Sequence, residues 1–163
     1  KMAAVSQAVL DGLNQGIQAE LASYVFYKKS MDVTDRDDLK DLLAQLASEE
    51  KSHYKILERQ YDSLVRSEMW VTYNDTMKEP GLPNLDEKME DVHEDFIDEI
   101  SSQITPKRIL DIALSLEIRA RDLYAGLAKQ IDDPSGKETM EYLSKFEDTH
   151  VRKIKKLQEE VLK

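Results

Sequence analysis

The chain contains no cysteine. That absence removes disulfides, zinc–thiolate sites, iron–sulfur clusters and thiol nucleophiles together. Glycine and proline are scarce, five and four in 163 residues, which disfavours a fold made of many tight turns. No apolar run approaches the ~20 residues needed to cross a bilayer, so no membrane association is expected. No basic, apolar leader precedes the first helical pattern, so Met2 reads as a native start and the cytoplasm as the default compartment. Basic residues are outnumbered, 23 against 33 acidic ones, for a formal net charge of −10. Affinity for nucleic acid depends on clustered Lys and Arg, so that partner is not expected either. Metal cations suit such a chain better.

What is present is helix. A charged fraction of 34% with so few breakers points to long, solvated helices in one domain. Ser6 can cap a first helix whose inward face runs Val9, Leu13, Gly16, Glu20, Tyr24, Tyr27 and Met31 at spacings of three and four. Asp32 to Asp35 breaks it, and Thr34 or Asp35 can cap the second helix. That helix turns Leu39, Leu43, Leu46, Glu50, His53, Leu57 and Leu64 to one side. Thr105-Pro106 starts a third, with Leu110, Ala113, Glu117, Arg121 and Tyr124 on its face. Asp133-Pro134 starts a fourth, with Met140, Leu143, Glu147, His150, Ile154, Leu157 and Val161.

The two halves are copies. Glu20 and Glu117, Tyr27 and Tyr124, Glu50 and Glu147, and His53 and His150 are each 97 residues apart, and the same shift carries Leu13, Leu46 and Leu57 onto Leu110, Leu143 and Ile154. Two related helical hairpins, about 6–67 and 105–163, joined by a long crossover over about 68–104, predict an all-α four-helix bundle. Within the crossover, residues 86 to 99 hold eight acids and one lysine around a weak apolar face of Met89, Val92 and Phe96. This stretch reads as a solvated surface helix with no assigned role, and His93 within it as a surface residue.

The unusual feature is what occupies the core stripes. Glu20, Glu50, His53, Glu117, Glu147 and His150 share register with Leu, Ile and Val. An ionised carboxylate on an apolar face costs several kcal/mol unless a neighbour neutralises it. Only Arg121 offers a cation on a stripe, so multivalent metal ions would resolve the conflict. Counting residues from each hairpin turn puts the two glutamates of each hairpin within about a turn of one height at roughly 1.5 Å per residue. Each histidine follows its glutamate by three, on the same face. One Glu from each of two helices and Glu-x-x-His from each of the other two is the di-metal signature of ferritin-like bundles. Carboxylates can bridge two ions while imidazole holds one end of each, a donor set that suits iron and barely separates it from manganese.

At these residues the chain resembles the rubrerythrin branch of the ferritin-like superfamily. The stretches carrying the likeness are Gln18 to Tyr27, Ala47 to His53, Leu116 to Tyr124 and Glu147 to His150. The resemblance implies that Glu50 and Glu147 bridge two irons, with Glu20 and His53 completing one position and Glu117 and His150 the other. It implies a di-iron oxidoreductase that reduces hydrogen peroxide or dioxygen. Two departures matter. The family carries a further glutamate three residues after its third-helix ligand, and here that position is Ala120, which implies a slower peroxide step. The family's four-cysteine rubredoxin domain has no counterpart, so electrons are expected from an external protein.

Around the ligands, Tyr27 and Tyr124 read either as hydrogen-bond partners of the site or as ordinary core tyrosines. Arg121 reads as a compensating charge or as a snorkelling surface residue. Asp148 reads as an acceptor that orients an imidazole. Alternative functions are an iron-oxidising, iron-handling role of ferritin type, a di-manganese catalase-like site, and a bundle that binds metal only for stability. A homodimer or small homo-oligomer is expected.

Overall fold

In a computed structural model that describes residues 5–162, helix α1 (Gln7–Val33) begins where Ser6 accepts a hydrogen bond from the Val9 amide at 3.2 Å. That bond satisfies one of the free donors of the first turn. Helix α2 (Asp37–Ser67) has no side-chain cap, which corrects the expectation placed on Thr34 or Asp35. Thr34 closes α1 instead: its N–H bonds to the Ser30 carbonyl, and its hydroxyl accepts the Arg36 amide at 3.3 Å. Asp37 and Asp38 in the first turn of α2 supply negative charge at the positive end of the helix dipole. The short helices α3 (Tyr73–Lys78) and α4 (Asp95–Asp98) flank a 3-10 helix over Leu85–Asp91. Helices α5 (Pro106–Gln130) and α6 (Pro134–Val161) start at the expected caps, Thr105 accepting the Arg108 amide and Asp133 the Gly136 amide. Met2 lies outside the described residues.

The fold is all-helical, with no strand among the described residues. The short links 34–36 and 131–133 fold α1 against α2 and α5 against α6 as antiparallel pairs. The pairs meet through α1 on α5 and α2 on α6. Between them Leu13, Leu39, Leu46, Leu110, Leu143 and Ile154 are completely buried, each worth roughly 1.5–3 kcal/mol of burial. The inward stripes read from the sequence are buried along their length, save that Met31, Arg121, Leu157 and Val161 are only partly covered.

The crossover differs from the single surface helix expected of it. Leu85 and Ile97 are buried, and Phe96 meets Phe26 edge-on at 5.8 Å. The acidic stretch therefore packs on the bundle through the expected face of Met89, Val92 and Phe96 and through Ile97 besides, with Leu85 buried just before it. Gln60, itself buried, clamps the exit from α2 by donating to the Val71 carbonyl at 2.6 Å and accepting the Val71 amide at 2.9 Å.

Trp70, the sole tryptophan, lies on Gly136 so closely that a Cβ there would meet three indole atoms at 2.5–2.8 Å. Gly136→Ala is expected to cost about 1–3 kcal/mol, lowering Tm by roughly 2–4 °C per kcal/mol and shifting Trp70 emission to the red. Gly126, with open space around it, gives the contrasting case: Gly126→Ala is expected to stabilise α5 by up to about 1 kcal/mol. Thermal melts in which both variants behave alike would contradict this packing.

Candidate metal centre

All six side chains singled out in the sequence converge in one buried layer. Glu20 comes from α1, Glu50 and His53 from α2, Glu117 from α5, and Glu147 and His150 from α6; none is more than 2% exposed. They form two overlapping groups, Glu20, Glu50, His53 and Glu147, and Glu50, Glu117, Glu147 and His150, each with one donor atom per residue within 4.8 Å of the others. Glu50 and Glu147 belong to both. His53 Nδ1 lies 2.6 Å from Glu147 and 3.8 Å from Glu20. His150 Nδ1 lies 3.2 Å from Glu117, 3.3 Å from Glu147 and 3.6 Å from Glu50. The two imidazoles stack at 5.9 Å.

The tyrosines take the hydrogen-bonding role, not the plain core role. Tyr27 of α1 donates to Glu117 Oε1 of α5 at 2.5 Å, and Tyr124 of α5 donates to Glu20 Oε1 of α1. Each bond ties a carboxylate across the two helix pairs, and the 97-residue repeat maps one bond onto the other. Arg121 and Asp148 do not reach the layer. Arg121 donates to Asp148 at 3.0 Å and to Asp122 at 3.1 Å with its guanidinium partly in solvent, because its long side chain leaves the stripe for the surface. Asp148 thus spends its carboxylate on arginine and orients no imidazole. His93 is exposed, as expected.

Sequence reasoning missed Glu49. This half-buried residue of α2 accepts a hydrogen bond from His150 Nε2. Preceding Glu50 by one, it sits about 100° off the inward stripe and reads there as a solvated acid. One signal was available: the repeat places Glu49 opposite Phe146, an aromatic that marks the position as partly covered.

Electrostatics express the strain of four carboxylates in one dry layer. Burial, then the charges of Glu147 and Glu117, hold the Glu20 carboxyl well above its ordinary range. Burial and the adjacent Glu117 do the same to Glu147. Burial presses Glu117 upward too, but hydrogen bonds from Glu147, His150 and Tyr27 hold it lower. Burial depresses His53, against the pull of Glu20. His150 is also disfavoured by burial, yet bonds to Glu117, Glu147 and Glu49 push it up to about 12.

Three carboxylate oxygens, Glu20 Oε2, Glu50 Oε1 and Glu147 Oε2, are buried with no hydrogen-bond partner. Orphaned acceptors at such depth are rare and costly. Together with the hard-oxygen and imidazole donor set, they fit a pair of divalent cations. Compared with family models, curated proteins and solved structures, the chain finds no match, so the functional assignment rests on its own residues.

Stripped of metal, the protein is expected to lose stability as pH rises from about 5 to 8. Glu20 and Glu147, raised above the unfolded value, keep protons that the unfolded chain has released, so stability falls with pH. Below about pH 6.5 the depressed His53 opposes this, since there the unfolded chain binds the extra proton. Above it His150 adds to the loss, and the slope steepens. Each excess proton is worth about 1.4 kcal/mol per pH unit at most. Metal-loaded protein, its protons displaced by ions, is expected to show no such loss and instead to gain stability from about pH 5 to 6.5, where only the unfolded histidines bind protons. Parallel curves for the two forms would contradict a buried carboxylate cluster.

Proposed function

We propose that the chain is a ferritin-like four-helix bundle carrying a carboxylate-bridged two-metal centre, di-iron in its working form, and that it reduces hydrogen peroxide or dioxygen in the manner of rubrerythrins. The observation that carries this reading is the convergence of Glu20, Glu50, His53, Glu117, Glu147 and His150 into two groups that share Glu50 and Glu147. In this reading the shared pair bridges, Glu20 and His53 complete one position, and Glu117 and His150 complete the other. Manganese suits the same donors.

When bound, two irons would supply one electron each to an oxidant. The chain's own residues bind, orient and insulate. Tyr27 and Tyr124 fix the Glu117 and Glu20 carboxylates from opposite helix pairs, which leaves Glu20 Oε2 without a hydrogen bond and turns Glu117 Oε2 to His150 Nδ1 at 3.2 Å, so that an ion would sit between that oxygen and the imidazole. Leu46 and Leu143, one turn before the shared glutamates, close the layer against water. Ala120, buried one turn along α5 from Glu117, offers a methyl where the resembled family has a fifth carboxylate, consistent with a slower peroxide step. Reduction of one peroxide to two waters consumes two electrons and two protons. In this reading the electrons come from a donor outside the bundle.

Elemental analysis of protein offered Fe(II) is expected to show about two ions per chain. Glu50→Ala and Glu147→Ala are expected to empty both positions, and Glu20→Ala and Glu117→Ala to weaken mainly one. A reproducible value near zero in the unaltered protein, or equal loss of one ion from all four variants, would contradict the assignment. Reduced protein is expected to consume hydrogen peroxide stoichiometrically and to turn over only with a reductase and a small electron carrier. Elution as a large hollow shell holding many irons per chain would assign it to iron storage instead.

A further inference from the structure

The internal repeat allows each contact in the metal layer to be compared with its copy, and one contact has no equivalent. The Tyr27–Glu117 bond has its copy in Tyr124–Glu20. The Arg121–Asp148 ion pair has a counterpart of another kind, with Lys51 lying 5.3 Å over the Tyr24 ring at the matching positions. The exception is the far side of the imidazoles. His150 presents Nδ1 to Glu117, Glu147 and Glu50, while its Nε2 is hydrogen-bonded to Glu49. At the matching place beside His53 stands Phe146, ring edge against ring face at 4.8 Å. Both positions are half-buried, so the scaffold is conserved between the halves and only the chemistry differs.

A carboxylate on the outer nitrogen of a metal-binding imidazole fixes the ring's tautomer and direction and makes the inner nitrogen a stronger donor. Here the acceptor on Nε2 leaves Nδ1 as the free donor, aimed at the three glutamates. The Phe146 ring packs at right angles to both imidazoles, at 4.8 Å from His53 and 5.2 Å from His150, and brings no carboxylate to the outer nitrogen of His53.

We propose that Glu49 is a positioning residue for His150, and that the Glu49/Phe146 difference makes the two metal positions unequal, with the His150 position filled first and held more tightly. The inequality rests on the two-metal reading but goes beyond it, since near-identical ligand sets in the two halves would by themselves give near-equal sites. It provides a centre in which one ion stays while the other is more readily exchanged.

The test uses Zn(II), a diamagnetic ion suited to imidazole and carboxylate, titrated into metal-free full-length protein with ¹⁵N-labelled histidine. Only three histidines report, and His93, exposed on the crossover, serves as the internal control. The first equivalent is expected to shift the His150 ring and the second the His53 ring. Glu49→Gln, similar in shape, is expected to weaken the His150 position about 10–100-fold and to abolish or reverse that order. Phe146→Glu is expected to let both positions fill together. Parallel shifts of both rings in the unaltered protein, or an order and affinity that survive Glu49→Gln, would overturn the inequality while leaving a two-metal site intact. Absence of any ring shift would overturn the metal reading as well.

Discussion

Four carboxylates compressed into one dry layer are the constraint on which the rest of this molecule depends. Each ionised group withdrawn from water costs several kcal/mol, and Glu20, Glu50, Glu117 and Glu147 repel one another besides. The protein's own hydrogen bonds meet only part of that cost. Tyr27 and Tyr124 each satisfy one oxygen, and three further oxygens have an imidazole nitrogen 3.3–3.8 Å away but no hydrogen bond. Cations of high charge are the economical remedy, and their binding free energy would then be folding free energy.

The helices serve that layer. Four of them supply the six groups, and the antiparallel pairing of α1 with α2 and of α5 with α6 brings residues some 30 apart in sequence to one height. The tyrosines stitch the pairs across α1 and α5, where an unpaired carboxylate would otherwise push the helices apart. Long apolar stripes on either side of the layer carry the net stability that the polar layer lacks. The crossover contributes by covering α1, with Leu85, Phe96 and Ile97 inserted from an otherwise acidic segment.

Most of this was legible in the sequence because helical periodicity encodes which side of a helix faces inward. Glu20, Glu50, His53, Glu117, Glu147 and His150 were readable because polar groups in register with Leu and Ile demand an explanation, and the 97-residue repeat supplied a second reading of each. Residues off the stripe were not legible in the same way. Whether Glu49 or Asp148 reaches an imidazole depends on the neighbouring helix and its rotation, which spacing along one chain does not encode. Arg121 fell on a stripe, yet a long side chain can leave its stripe for solvent. The crossover was only partly legible: its weak face of Met89, Val92 and Phe96 does pack on the core, while Leu85 and Ile97 lie off that face and carry almost no periodic signal beside eight acids. Thr34 was misassigned because one threonine can close one helix or open the next, and only the backbone path decides.

Crystals of the ion-loaded protein, measured at the absorption edge of iron and again below it, test the central claim most directly. The account predicts two anomalous peaks inside the ring formed by Glu20, Glu50, His53, Glu117, Glu147 and His150, with Glu50 and Glu147 touching both. Peaks confined to exposed acids such as those of the crossover, with the buried carboxylates bonded only to one another and to the tyrosines, would contradict it.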